Sequence, residues 1–152
     1  MFGIVAIIAG AAAPAFSNLL LDSRMNAVVT TAMHAVNLAR QFSATRGEPI
    51  QLCGSDDERR CTGRLDWSTG LLLADSGEYL RRSLPLAGGN GSPRIRSNRA
   101  IVNFEGDSGF ASPATLIVCD RRGSNAARAV IISRSGRPRV SARDASDRPL
   151  AC

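Results

Sequence analysis

The start of this chain restricts what it can fold into more than any other segment. "MFGIVAIIAGAAAPAFSNLLL" carries no charge until Asp22. An uncharged run of about 20 residues is long enough to cross a bilayer as a helix. Gly3, Gly10 and Pro14 would weaken a soluble helix but are tolerated in membrane helices. A secretory signal is the competing reading, with Ala11-Ala12-Ala13 as a small-residue cleavage site, but no basic region precedes the apolar run. Either reading exports the rest of the chain. After Pro14 the pattern turns amphipathic, with Met25, Val28, Ala32, Ala35, Ala39 and Phe42 at three- and four-residue steps. Asp22, Arg24, Asn26, Asn37 and Arg40 fall largely off that stripe. Gly47 follows as a C-cap and Pro49 bars continuation. One long helix is expected, membrane-like over 1–21 and buried on one face over 22–46. His34 lies on it and reads as an ordinary surface or half-buried histidine.

From residue 47 to 152 the period changes. "IQLC", "WSTGLLLAD", "EYLRRSLPL", "AIVNF", "ATLIVCD", "ARAVIIS" and "RPRVSAR" are short apolar runs separated by Gly, Asn, Asp, Ser and Pro. Runs of this length between turn signals read as strands of an antiparallel sheet. "GGNGSP" (88–93) is a loop without the Lys-Ser/Thr of a phosphate-binding P-loop. "GDSG" (106–109) resembles the nucleophile loop of trypsin-like proteases, but the one histidine sits on the helix, away from where a base would act. It reads as a tight turn. "CGSDDERRC" is a polar hairpin loop whose acids suit a solvated turn better than a metal. No nucleophile–base pair, carboxylate pair or cofactor fingerprint stands out, so the chain is expected to be no enzyme and to need no cofactor, metal or small-molecule substrate.

An exported chain can keep its cysteines oxidised. C-x7-C and C-x32-C are not zinc-like spacings, and the four residues Cys53, Cys61, Cys119 and Cys152 allow three disulfide pairings. Cys53–Cys61, closing a short loop, and Cys119–Cys152, pinning the C-terminus, are the favoured set. Four free buried thiols are the alternative.

Charge is unevenly placed. All 19 basic residues are arginine. Residues 1–93 hold eight arginines and eight acids, whereas residues 94–152 hold eleven arginines and five acids, which is the whole net charge of +6. Such asymmetry points to a polyanionic partner, nucleic acid or anionic membrane, or to a solvated basic surface. The densest stretch is "SRSGRPRVS" (133–141). If "GRPRVSAR" is extended, Arg137, Arg139, Ser141 and Arg143 point one way and Pro138, Val140 and Ala142 point to the core. Pro138 offers no N–H and belongs on an edge strand. Gly136 permits the turn, Arg134 enters it, and Arg121 and Arg122 in "CDRRGSN" are expected to widen the patch.

The order of several weak motifs adds a family resemblance covering nearly the whole chain. "PAFSNLLLDSRMNAVVTTAMHAVNLARQFSATRGEPIQLC" resembles the GspH/FimT-type minor pilins at Pro14, Asn18-Leu19-Leu20, Leu38-Ala39-Arg40, Arg46-Gly47, Pro49 and Cys53. Trp67 matches the family tryptophan. "LIVCDRRGSNAARAVIISRSGRPRVS" matches its closing strands, with the Gly-Arg-x-Arg signature at Gly136, Arg137 and Arg139. The resemblance implies an α+β, type IV pilin-like fold: a long N-terminal helix packed on an antiparallel sheet domain. It also implies a single-pass inner-membrane protein with its domain in the periplasm, which later joins other pilins at a pilus tip. FimT-like members with this signature are linked to DNA binding in natural transformation. The alternative is a structural minor pilin or secretion pseudopilin that primes assembly without DNA. Such pilins begin with a basic leader, a cleaved glycine, a phenylalanine and a nearby glutamate. None precedes "FGIVAII", and aligning Pro14 with the family proline implies that the leader and roughly eight mature residues are missing from this sequence.

Overall fold

The computed structural model describes residues 2–75, 81–86 and 92–152, with side chains over 16–75, 82–86 and 92–152. Helix α1 (Phe2–Arg46) runs without a break for 45 residues. Its stripe is the one expected from the spacing. Met25, Val28, Val29, Ala32, Ala35, Val36 and Ala39 are buried, Phe42 packs at the margin, and His34 is exposed. Alanine at 32, 35 and 39 has no side chain beyond Cβ, so strands approach the helix axis closely there. The helix stops where Gly47 adopts φ +67°, a left-handed conformation that suits glycine, and its N–H donates to Ser43 O at 3.0 Å. Among the described residues no helix is long and apolar enough to cross a membrane. Most of the 1–21 run lies outside the described side chains.

Eight strands follow: β1 (Ile50–Gly54), β2 (Gly70–Asp75), β3 (Arg81–Pro85), β4 (Arg94–Ser97), β5 (Ile101–Phe104), β6 (Ala114–Cys119), β7 (Arg128–Ile132) and β8 (Pro138–Ser141). They form two antiparallel sheets rather than one, in the orders β3-β2-β1-β5 and β4-β6-β7-β8. Sequence runs locate strands but not their partners. Here β5 crosses back to pair with β1, and β4 pairs with β6. The run "RIRS" that forms β4 is too polar on its outer face to stand out as apolar, yet Ile95 and Ser97 are buried and Arg94 and Arg96 exposed, the alternation of a half-buried strand. The loop expected at 88–93 and the start of "EYLRRSLPL" fall largely outside the described residues.

Both sheets place one face on α1. Leu52, Leu71, Leu73, Val102 and Phe104 from the first sheet meet Ile95, Leu116, Val118, Val130 and Ile132 from the second around the helix. Trp67 is fully buried among them, its indole N–H donating to Arg64 O at 3.1 Å. The ring lies so close to Gly54 that a Cβ there would come within 2.5 Å of it. The second sheet's outer face carries a smaller cluster, Ala127, Ala129 and Ile131 under Leu150. Both favoured disulfides are present, Cys53–Cys61 and Cys119–Cys152, with Cα separations of 5.6 and 5.9 Å. By the chain-entropy model, loops of these lengths stabilise by about 2.5 and about 3.7 kcal/mol.

Two backbone-to-backbone contacts tie the end of the helix to the β7–β8 hairpin. Gly106 lies against Gly47, where a Cβ would come within 2.2 Å of the Gly47 carbonyl carbon. On the far side of the same turn, Gly109 O lies 2.8 Å from where a Cβ on Gly136 would sit. The "GDSG" segment is therefore a tight turn wedged between the helix cap and the hairpin, closed by Gly109 N–H donating to Glu105 O at 3.1 Å. Replacing Gly106 by Ala forces backbone apart at this wedge. It should destabilise the protein by roughly 2 kcal/mol or more, read as a fall in Tm, whereas Gly63→Ala, which meets no neighbour within 4 Å but has φ +68°, should cost about 1 kcal/mol.

Candidate nucleic-acid interface

The arginine stretch forms the β7–β8 hairpin. Ser133 N–H donates to Arg137 O at 3.1 Å, and Gly136 N–H donates to Ser133 O at 2.9 Å. Gly136 has φ +69°. Three loop residues ending in a left-handed glycine make one of the common hairpin connections. The Ser133 hydroxyl accepts from Arg137 N–H at 3.2 Å, and Arg134 O accepts from Ala111 N–H at 2.8 Å. The backbone that carries the arginines is thus fixed on three sides: by its own turn, by the 105–111 segment, and by the stem of Arg40, whose Cδ lies 3.2 Å from a Cβ placed on Gly136.

β8 is an edge strand, as Pro138 requires. The inward bond from Ser133 to Arg137 and the alternation of antiparallel pairs put the Pro138 nitrogen on the unpaired side. The register sets Arg139 opposite Ile131 and Val140 opposite Val130. Val140 therefore lies on the core side of the sheet, but it is 47% exposed. The expectation that Val140 and Ala142 reach the core is corrected, because the packed core ends at β7 and β8 lies past it. The strand also ends at Ser141, so Arg143 does not continue the row of Arg137 and Arg139.

The side chains divide by what they touch. Arg134, Arg137 and Arg139 are exposed, and among the described residues none has an ion pair or side-chain hydrogen bond. Arg121 is exposed and makes no ion pair or side-chain hydrogen bond among the described residues, its charge adding only to the field on Asp120. Arg143 donates to Asp147 O at 2.8 Å and lies 3.8 Å from the Asp147 carboxylate. Arg148 pairs with Asp144 at 2.8 Å.

Arg122 corrects the expected patch most clearly. Its Nη2 lies 2.7 Å from Asp120 Oδ2 and its Nη1 2.7 Å from Asp22 Oδ1 on α1. It clamps sheet to helix, each of its three nitrogens donating to a carboxylate. Asp22 and Arg40 stand 18 positions apart on α1, about 27 Å at the helical rise. Arg122 contacts the first and Gly136 the second, so Arg121 and Arg122 sit at the opposite end of the domain from the hairpin. The Asp120 side chain is fully buried. Burial pushes its carboxyl up, but hydrogen bonds from the Arg122 side chain and backbone N–H, together with that positive charge, hold it below the ordinary carboxylate range.

The family model described as "Type II transport protein GspH" matches residues 29–136. The chain belongs to the GspH family. No curated relative matches it by sequence. Two crystal forms of the Pseudomonas aeruginosa type IV minor pilin FimU superpose at TM-scores of 0.58 with 18% and 19% identity, covering 86% and 90% of this chain and 98% and 97% of theirs. The solution structure of Escherichia coli GspH matches at a TM-score of 0.50 and 15% identity, covering 81% of this chain and 92% of that one. The protein is thus a minor pilin or pseudopilin of the GspH/FimT type with a type IV pilin-like fold.

Within the GspH frame the Asp120–Arg122–Asp22 clamp is a stability element and makes a pH prediction. A carboxyl whose pKa is lower in the folded state stabilises above its unfolded pKa, near 3.8, and that contribution is lost as pH falls toward the folded value. Stability should therefore be level from neutral pH to about 5 and decline below 4. Asp120→Asn should reduce that decline and lower Tm at pH 7, as followed by circular dichroism.

Proposed function

We propose that this minor pilin binds DNA non-specifically through the β7–β8 hairpin, for DNA uptake in natural transformation. The observation that carries the reading is the free state of Arg134, Arg137 and Arg139. A domain that pairs Arg122, Arg143 and Arg148 with carboxylates leaves these three on a fixed turn at an open edge. Guanidinium forks suit phosphate oxygens. The hairpin offers no aromatic side chain on which bases could stack, so its contacts position a backbone without reading sequence. Arg121 and Arg143 are peripheral in this scheme, and Arg122 takes no part.

The pilin partners and the membrane follow the family. The N-terminal helix anchors the protein in the inner membrane as a single pass before assembly, with the domain periplasmic. It then packs among other pilins in a filament, where several copies would add avidity to weak single-site binding. Pilins and pseudopilins are structural, non-enzymatic proteins.

A purely structural role is the second reading, and β8 itself favours it. An open edge strand invites pairing with other chains, and charged side chains discourage it.

Mobility shift separates the two readings. The full chain in non-ionic detergent should retard a mixed-sequence duplex at low salt, with affinity in the micromolar range or weaker, typical of non-specific binding. Arg137→Gln with Arg139→Gln should weaken this at least tenfold and leave Tm unchanged. A wild-type protein that leaves DNA unshifted at low salt favours the structural reading.

A further inference from the structure

The DNA reading of the hairpin rests on β8, but the strand register carries the charge further. On the second sheet, Arg139 faces outward opposite Ile131, and Ile131 lies opposite Thr115 on β6. Two residues along β6, Ile117 lies opposite Arg96 on β4, and Cys119 lies opposite Arg94. Partners across an antiparallel pair share a face. Arg94 and Arg96 therefore project from the same outer face as Arg139, at the opposite edge of the sheet. With strands about 4.8 Å apart and residues about 3.3 Å apart, Arg96 stands about 16 Å from Arg139 and Arg94 about 20 Å. Both are exposed, and among the described residues neither makes a salt bridge or a side-chain hydrogen bond, although the charge of Arg94 is felt by the Asp66 carboxylate.

The ground between is not hostile to an anion. The C-terminal segment crosses it, pinned by Cys119–Cys152. Its two side-chain carboxylates are already matched, Asp144 by Arg148 and Asp147 by Arg143. Asp66 forms a bridge pair with Arg96 in the backbone; its carboxylate stays ionised, accepts from the Ser68 hydroxyl and N–H, and has its charge offset by Arg94 and Arg64. Two adjoining hollows of about 460 and 540 Å³ share Leu65, Arg96, Ile117 and Ala151, so Arg96 stands where they meet.

We propose that Arg94 and Arg96 are a second set of phosphate contacts, and that DNA crosses the outer face of this sheet diagonally from the hairpin to β4. The proposal rests on the DNA-binding reading and enlarges its footprint. A span of about 20 Å corresponds to about six base pairs along one strand. The ligand remains the phosphodiester backbone, since the added residues are again arginines without an aromatic platform.

Salt dependence counts the phosphates neutralised. Three hairpin arginines give a log–log slope of about −2.7 on duplex DNA, and five arginines give about −4.5. The experiment is a fluorescence-anisotropy titration of a labelled mixed-sequence duplex with the full chain in non-ionic detergent across a salt series. Wild type should show the steeper slope. Arg94→Gln with Arg96→Gln should bring it to about −2.7 with Tm unchanged, and Arg94→Lys with Arg96→Lys should keep it steep. A slope that the glutamine pair leaves unchanged overturns the proposal while the hairpin reading stands. The same result together with weakened binding of a neighbouring pilin makes this face a protein-docking surface, which also overturns it. A wild type that does not bind DNA removes the hairpin reading and this one together.

Discussion

The structure depends on one stripe of the helix being covered from two sides. Met25, Val28, Ala32, Ala35, Val36 and Ala39 meet both sheets, and neither sheet could bury its own inner face without α1. An amphipathic helix of this kind draws most of its stability from such packing and little from propensity. The three alanines make the cover close. N-terminal to that stripe, Phe16 and Leu19 are exposed, at 62% and 64%, whereas Leu21 is buried.

The helix also sets where the arginines point. Its C-cap glycine contacts Gly106, the same turn contacts Gly136, and Gly136 opens the hairpin. Each close approach works because no Cβ is present. At the other end, Arg122 fixes α1 to the β6–β7 connection through two carboxylates. One residue type therefore does two kinds of work. Arginines facing carboxylates hold the domain together, and arginines facing only water are available for a ligand. Sequence neighbours separate on this test: Arg137 and Arg139 are free, whereas Arg143 and Arg148 are matched four residues away.

Much of the fold was legible. The helix stripe, its glycine stop, seven of the strand runs and the turn reading of "GDSG" follow from local periodicity and turn chemistry. The favoured cysteine pairing was one of three and is the one present. What stayed hidden is non-local. Two sheets instead of one depend on β4 and β5 exchanging partners, which no local pattern records. β4 escaped because two of its four residues are arginine. The partnership of Arg122 with Asp22, 100 residues earlier, cannot be read from "CDRRGSN". Edge position was readable from Pro138, but the bend after Ser141, which takes Arg143 out of the row, was not.

The most direct test follows the guanidinium groups themselves. Arginine Nε–Hε resonances of the isotope-labelled protein, recorded while a short duplex is added, report which groups meet phosphate. The account predicts that Arg134, Arg137 and Arg139 shift together in a salt-sensitive way and that Arg122 does not move. Shifts at Arg122 with the hairpin signals unchanged would contradict it.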